Sequence, residues 1–218
     1  MSRLTLDHRL SPLRGAYLIA DRELLSAEAL EPAVQAALAG GVRLVQYRDK
    51  GGDRERRLAE ARRLVALCHE HAARLIINDD PELARDAGAD GVHLGRDDVS
   101  VAEARELLGP GALIGVSCYN QLERATAAQA AGADYVAFGS FHPSPTKPDA
   151  VRAPLGLLKR ARELIHLPIV AIGGITPDNA APIALAGADA AAVISGVLAA
   201  DDLTAAAREL NNLMRLHW

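Results

Sequence analysis

The chain has 218 residues, 24 basic against 28 acidic side chains for a formal net charge of -4, and is 50% hydrophobic but only 3% aromatic. That length suits one domain whose single core is filled by Leu, Ile, Val and Ala. The lack of a basic excess and of rings argues against a partner nucleic acid or an anionic membrane, and two cysteines, Cys68 and Cys118, cannot make a disulfide framework or a four-cysteine zinc site.

Residues 1–14 carry Arg3, Asp7, His8, Arg9 and Arg14 without an apolar run suited to a signal-peptide core, and read as a short tail or first half-helix. Short apolar runs follow: Ala16–Ala20, Arg43–Tyr47, Arg74–Asn78, Gly91–Leu94, Leu113–Ser117, Tyr135–Gly139, Pro168–Ile172 and Ala191–Ser195. Near-continuous apolarity marks strands covered on both faces, as in a parallel sheet. Helical patterns lie between them, most clearly Asp53–His71, then Gln121–Ala131, Pro154–Ile165 and Pro177–Ala186. The weakly charged stretch Asn179–Ala200 holds Asp189, Pro182, Gly187 and Gly196, so it predicts helix, turn and buried strand rather than a membrane span. Gly-Ala-Asp precedes an apolar run at Gly88–Asp90, Gly132–Asp134 and Gly187–Asp189, as repeated helix-to-strand turns would. The expected fold is α/β, a single-domain (β/α)8 TIM barrel over residues 15–218. A doubly wound sheet would place a glycine-rich phosphate loop after an early strand, whereas Gly173-Gly174 follows the seventh run.

Active sites of such barrels sit at the C-terminal strand ends. There, Gln46, Arg48 and Lys50 share one side of the second strand, a donor-rich face for a polyanion; the alternative is a solvated loop end. Asn78-Asp79-Asp80 and Asp97-Asp98 could hold Mg2+, or Asp80, Asp98 and Ser100 could simply cap helices. Cys118 has no base nearby in sequence and reads as a buried thiol. Ser144, Thr146 and Lys147 in a proline-stiffened loop suit phosphate oxygens. So do the backbone N–H groups around Gly173-Gly174 and Ile194-Ser195-Gly196. His69 and His71 point apart on their helix, His93 reads as a core or supporting residue, and His142 could be either. These groups suggest one phosphorylated ligand near Arg48, Lys50 and Lys147 and another near Gly174 and Ser195, with positioning and charge neutralisation rather than a protein nucleophile.

From Tyr17 to Ser195, the ordered motifs Gln46-Tyr47-Arg48-Asp49-Lys50, Ile77-Asn78-Asp79-Asp80, Gly91-Val92-His93-Leu94-Gly95 with Asp98, Gly115-Val116-Ser117, Ser144-Pro145-Thr146-Lys147, Ile172-Gly173-Gly174-Ile175 and Val193-Ile194-Ser195 resemble the thiamine phosphate synthase family. The resemblance implies a transferase of thiamine biosynthesis. It would join 4-amino-5-hydroxymethyl-2-methylpyrimidine diphosphate to a thiazole phosphate, plain or carboxylated, releasing pyrophosphate. It further implies that Gln46, Tyr47, Arg48, Asp49, Lys50, Asn78, Ser117 and Lys147 hold the pyrimidine diphosphate, with Arg48, Lys50, Lys147 and Ser117 acting in catalysis. Asp79 and Asp98 would bind Mg2+, while Ser144, Pro145, Thr146, Gly174, Ile194 and Ser195 would hold the thiazole phosphate. Two positions depart from the usual pattern: Arg96 stands where Gln is usual, and Ser144 where Thr is frequent.

A thiazole tautomerase-like isomerase on the same barrel is the alternative. It would not need the diphosphate set, and a non-catalytic phosphate-ligand sensor would not need the Mg2+ pair. The expected partners are small phosphorylated molecules, not nucleic acid or membrane, in a cytoplasmic setting; a homo-oligomer stays open.

Overall fold

The computed structural model describes residues 13–143 and 150–215. Eight parallel strands, β1 (Gly15–Asp21), β2 (Leu44–Arg48), β3 (Arg74–Asn78), β4 (Gly91–Leu94), β5 (Leu113–Tyr119), β6 (Tyr135–Gly139), β7 (Ile169–Ile172) and β8 (Ala190–Val193), close in sequence order into a barrel. The helices α1 (Ala27–Ala39), α2 (Arg54–Glu70), α3 (Pro81–Ala87), α4 (Val101–Leu108), α5 (Leu122–Ala130), α6 (Gly156–Leu164) and α7 (Pro177–Leu185) alternate with them; α8 (Ser195–Leu198) and α9 (Leu203–Leu213) follow β8. The predicted barrel is the observed one, and no helix among the described residues is long and apolar enough to cross a membrane.

β1, β2, β5, β7 and β8 differ from the expected runs by one or two residues at an end, and at β8 the difference falls on an expected site residue. Ser195 does not end β8; Ile194 leaves the extended region and Ser195 opens the single turn of α8.

The Gly-Ala-Asp repeat has a physical explanation. Gly88, Gly132 and Gly187 all take positive φ, turning the chain out of a helix. The following carboxylates then cap the neighbouring strand: Asp90 accepts from Leu75 N at 2.8 Å, Asp134 from Ile114 N at 2.8 Å and Asp189 from Ile169 N at 2.7 Å. Each also pairs with an arginine, Arg74, Arg105 and Arg162 respectively. The repeat therefore braces the N-terminal face of the barrel, away from the strand ends where chemistry is expected.

Alternation along each strand divides the core in two. One set, including Leu18, Val45, Ile77 and Val136, packs against the helices; the other, with Tyr17, Leu44, Ile76, Leu113, Tyr135 and Val170, fills the barrel. Leu13 is fully buried in the inner set, so at least this residue of the expected N-terminal tail is part of the core. Residues 1–12 lie outside the described part. Gly115 makes room for Tyr135, whose ring would overlap any Cβ placed there.

Candidate active site

The C-terminal mouth of the barrel encloses a cavity of about 450 Å³. Gln46, Arg48, Asn78, His93 and Ser117 line one side, and Gly173, Gly174, Ile194, Ser195 and Gly196 the other. Two groups that are far apart in the chain thus share one hollow.

The period of two in β2 decides which residues reach that hollow. Gln46 and Arg48 face it, whereas Tyr47 turns outward and is buried against α2. Its hydroxyl donates its one proton to Glu60 Oε2 at 2.6 Å, with Asp49 Oδ2 3.1 Å away. Asp49 also accepts from Gly51 N at 2.7 Å and from Arg56 Nη2 at 2.7 Å. Although burial alone would raise the Asp49 carboxyl, these donors hold it below its usual range. Tyr47 and Asp49, expected at the diphosphate, sit behind β2 and brace the segment that carries Arg48 and Lys50.

Arg48 donates through Nη1 to Asp21 Oδ2 at 2.6 Å, and Glu23 lies 3.4 Å from the same nitrogen. Asp21 is completely buried at the end of β1. Lys50 reaches across to pair with Asp79. Asp79 has a φ of +63°, a left-handed conformation that carries strain for a residue with a side chain. Its N–H donates to His93 O at 2.8 Å, which ties the end of β3 to β4.

Asp79 and Asp98 are neighbours beside Gly95, where an added Cβ would stand 3.1 Å from Asp98 Oδ2 and 3.9 Å from Asp79 Oδ1. Burial pushes both carboxyls up; Lys50 and the bond from Asp98 outweigh it at Asp79, which ends below its usual value. Asp98 ends above its own, since burial and the Asp79 carboxylate outweigh the Gly95 N–H that it accepts at 2.6 Å. Two neighbouring carboxylates, each directly after a cavity-lining residue, fit Mg2+, which commonly takes one or two protein carboxylates and completes its shell with water and phosphate. Among the described residues no group of three His, Cys, Asp or Glu side chains could hold a metal, so this pair would need ligand oxygens to complete a site. The helix-capping alternative holds for Asp80, which accepts from Leu83 N at 2.8 Å, and for Ser100, but not for Asp98.

Inside the barrel a polar chain runs from wall to wall. Gln46 Nε2 donates to Tyr17 Oη at 2.8 Å, Tyr17 and Tyr135 hydroxyls lie 3.0 Å apart, and Tyr135 Oη lies 3.0 Å from His93 Nδ1. His93 Nε2 lies 2.9 Å from Ser117 Oγ. The histidine lines the cavity too, with one ring nitrogen on Tyr135 and the other on the hydroxyl expected to act at Ser117. Cys118 beside it is buried, its thiol pushed up to about 12 by that burial, which suits packing rather than nucleophilic attack.

On the opposite side, Gly173 and Gly174 have φ of +104° and +59°. A Cβ on Gly174 would overlap the carbonyl of Pro143, so this glycine first of all lets the loop after β7 close on the loop after β6. The α7 start is braced internally: Thr176 N donates to Asn179 Oδ1 at 2.9 Å, and Asn179 Nδ2 to Gly174 O at 3.0 Å. Ser144, Pro145, Thr146 and Lys147 lie outside the described residues. Sequence reasoning missed Asp21, Glu60, Tyr17 and Tyr135; Asp21 at least carries a signal, a carboxylate closing an otherwise apolar strand.

A family model described as thiamine monophosphate synthase matches residues 16–197. The chain is 59% identical over 199 residues to the thiamine-phosphate synthase of Thiobacillus denitrificans, covering 91% of this chain and 94% of that one. It is 55% identical over 197 residues to the thiamine-phosphate synthase of Nitrosococcus oceani, covering 90% and 91%. A thiamine phosphate pyrophosphorylase from Pyrococcus furiosus superposes with a TM-score of 0.84 at 35% identity, over 93% of this chain and 96% of that one. The 3-hexulose-6-phosphate synthase of Salmonella typhimurium, at 19% identity and a TM-score of 0.72, shares the barrel alone. With the family model spanning β1 to α8 and relatives this similar over nearly their whole length, the chain belongs to the thiamine monophosphate synthase family.

Proposed function

We propose that this protein is a thiamine phosphate synthase, a transferase that joins the pyrimidine methylene of 4-amino-5-hydroxymethyl-2-methylpyrimidine diphosphate to the ring nitrogen of a thiazole phosphate. The observation that carries the reading is one cavity with Gln46, Arg48, Asn78 and Ser117 on one wall and Gly174, Ile194 and Ser195 on the other; Asp79 and Asp98 directly follow the lining residues Asn78 and Asp97. Two phosphorylated substrates need two such walls.

In this reading the C–O bond to the diphosphate breaks first and its electron pair leaves with the pyrophosphate. The thiazole nitrogen then supplies a lone pair for the new C–N bond. Arg48, Lys50 and Lys147 stabilise the charge that grows on the departing group, where donors aimed at the transition state have their largest effect. Ser117, oriented by His93, donates to a diphosphate oxygen; Gln46 and Asn78 hold the pyrimidine end. Ser144, Pro145, Thr146, Gly174, Ile194 and Ser195 hold the thiazole phosphate. Asp79 and Asp98 would hold Mg2+, which supplies charge neutralisation at the diphosphate. No protein nucleophile is required, in keeping with the buried state of Cys118.

We place the enzyme in the cytoplasm, where the free thiols Cys68 and Cys118 suit a reducing setting. Incubation with both substrates and Mg2+ tests the reading. Equal yields of thiamine monophosphate and pyrophosphate are expected; no product with either thiazole form would overturn it.

A further inference from the structure

Among the described residues, the cations assigned to the diphosphate are committed to protein carboxylates, Arg48 to Asp21 and Lys50 to Asp79. Arg96 differs. It also lines the cavity, yet among the described residues it makes no ion pair, although Asp97 and Asp98 follow it directly. Its guanidinium instead lies over the ring of Tyr119, 4.8 Å from the centroid. Arg124 lies 5.6 Å from the same centroid, and its Nε donates to Ser117 O at 3.4 Å. Tyr119 itself lines the cavity and takes a φ of +55°, a conformation that a tyrosine adopts only when its surroundings impose it.

An arginine stacked on a ring keeps its in-plane N–H donors free, because the stack engages the face of the guanidinium and not its edge. An unpaired, already oriented arginine on the edge of a cavity, beside the loop that carries Asp98, suits an incoming anion. Adding another positive charge there without a matching carboxylate is unfavourable until that anion arrives.

We propose that Arg96, held on Tyr119, is an additional ligand for the diphosphate that becomes the pyrophosphate product. The proposal rests on the function proposed above. The guanidinium binds diphosphate oxygens in addition to Arg48 and Lys50. The side chain is exposed, so its removal leaves the core and the barrel intact.

The test is calorimetric titration of inorganic pyrophosphate with Mg2+ into the wild-type protein, Arg96→Gln and Arg96→Lys, with thiazole phosphate and its carboxylated form titrated separately. Loss of one charge-assisted contact should weaken pyrophosphate binding about tenfold in Arg96→Gln. Arg96→Lys should fall between the two, and affinity for both thiazole phosphates should be unchanged. Equal pyrophosphate affinity in Arg96→Gln and wild type overturns the assignment. So does a loss confined to the carboxylated thiazole, which would place that carboxylate on the arginine instead. Wild-type turnover, measured first, separates the two failures: an active enzyme with an indifferent Arg96 overturns only this inference.

Discussion

Replacing Asp98 by Asn tests the carboxylate pair through stability and activity at once. Asn keeps an oxygen for the Gly95 N–H and offers an N–H to Asp79, so a repulsive contact becomes a hydrogen bond. Any two like charges at a contact distance of about 4 Å repel by about 4 kcal/mol at an effective dielectric constant near 20. Lys50 on Asp79 and the partial exposure of the site reduce this to roughly 1 kcal/mol, or about 2–4 °C in Tm for a chain of this size. The sign follows from linkage. Burial and the neighbouring Asp79 raise the folded Asp98 carboxyl above its ordinary value, so the folded chain holds that proton more tightly than the unfolded one. The destabilising contribution is therefore absent below the ordinary carboxylate value, about pH 3.9, and grows as pH rises through the raised one. Differential scanning calorimetry without ligand should show Asp98→Asn more stable than wild type at neutral pH and the gain gone in acid. With Mg2+ and pyrophosphate the order should reverse, and kcat/KM should drop roughly 10²-fold or more. A ligand-free variant less stable than wild type at neutral pH, or one with undiminished Mg2+-dependent turnover, would refute the reasoning.

Asp189→Ala removes the acceptor for Ile169 N and the partner of Arg162 on the far face of the barrel. Chemical denaturation should show a loss of about 2–3 kcal/mol with KM for both substrates unchanged; a change in KM would contradict the assignment of the repeat to stability. Gly174→Ala must accommodate a positive φ and displace the loop at Pro143, so Tm should fall and KM for the thiazole phosphate should rise together. A rise in KM with unaltered Tm would show that the glycine serves the ligand alone. Cys118, pushed up to about 12 by burial, should resist iodoacetamide at pH 8 until the chain unfolds, as followed by mass spectrometry; rapid labelling of the native protein would contradict its burial.

The barrel was legible in the sequence because strands covered on both faces leave apolar runs, and because right-handed crossovers allow few ways to connect them. The runs at Arg74–Asn78, Gly91–Leu94 and Tyr135–Gly139 coincide with β3, β4 and β6. The period of two at Gln46 and Arg48 was equally readable, since it follows from strand geometry alone. The same rule placed Tyr47 and Asp49 on the other side of β2, yet the motif as a block suggested that all five residues meet the ligand. Ser195 was misplaced as a strand end because its departure from the sheet depends on the backbone of Ile194, which no local pattern announces.

What the linear chain determined by itself was the identity of the elements and the chemical character of their ends. Only tertiary structure decided the pairings: Asp21 with Arg48, Glu60 with Tyr47, Lys50 with Asp79, and Arg96 on Tyr119. The physical reason is range. Periodicity and capping act over a few residues and are written locally, whereas an ion pair or a stacked ring joins residues whose distance in sequence carries no information about their distance in space. Closing the barrel brings all eight strand ends to one mouth, and that closure, rather than any single motif, makes the dispersed polar residues into one site.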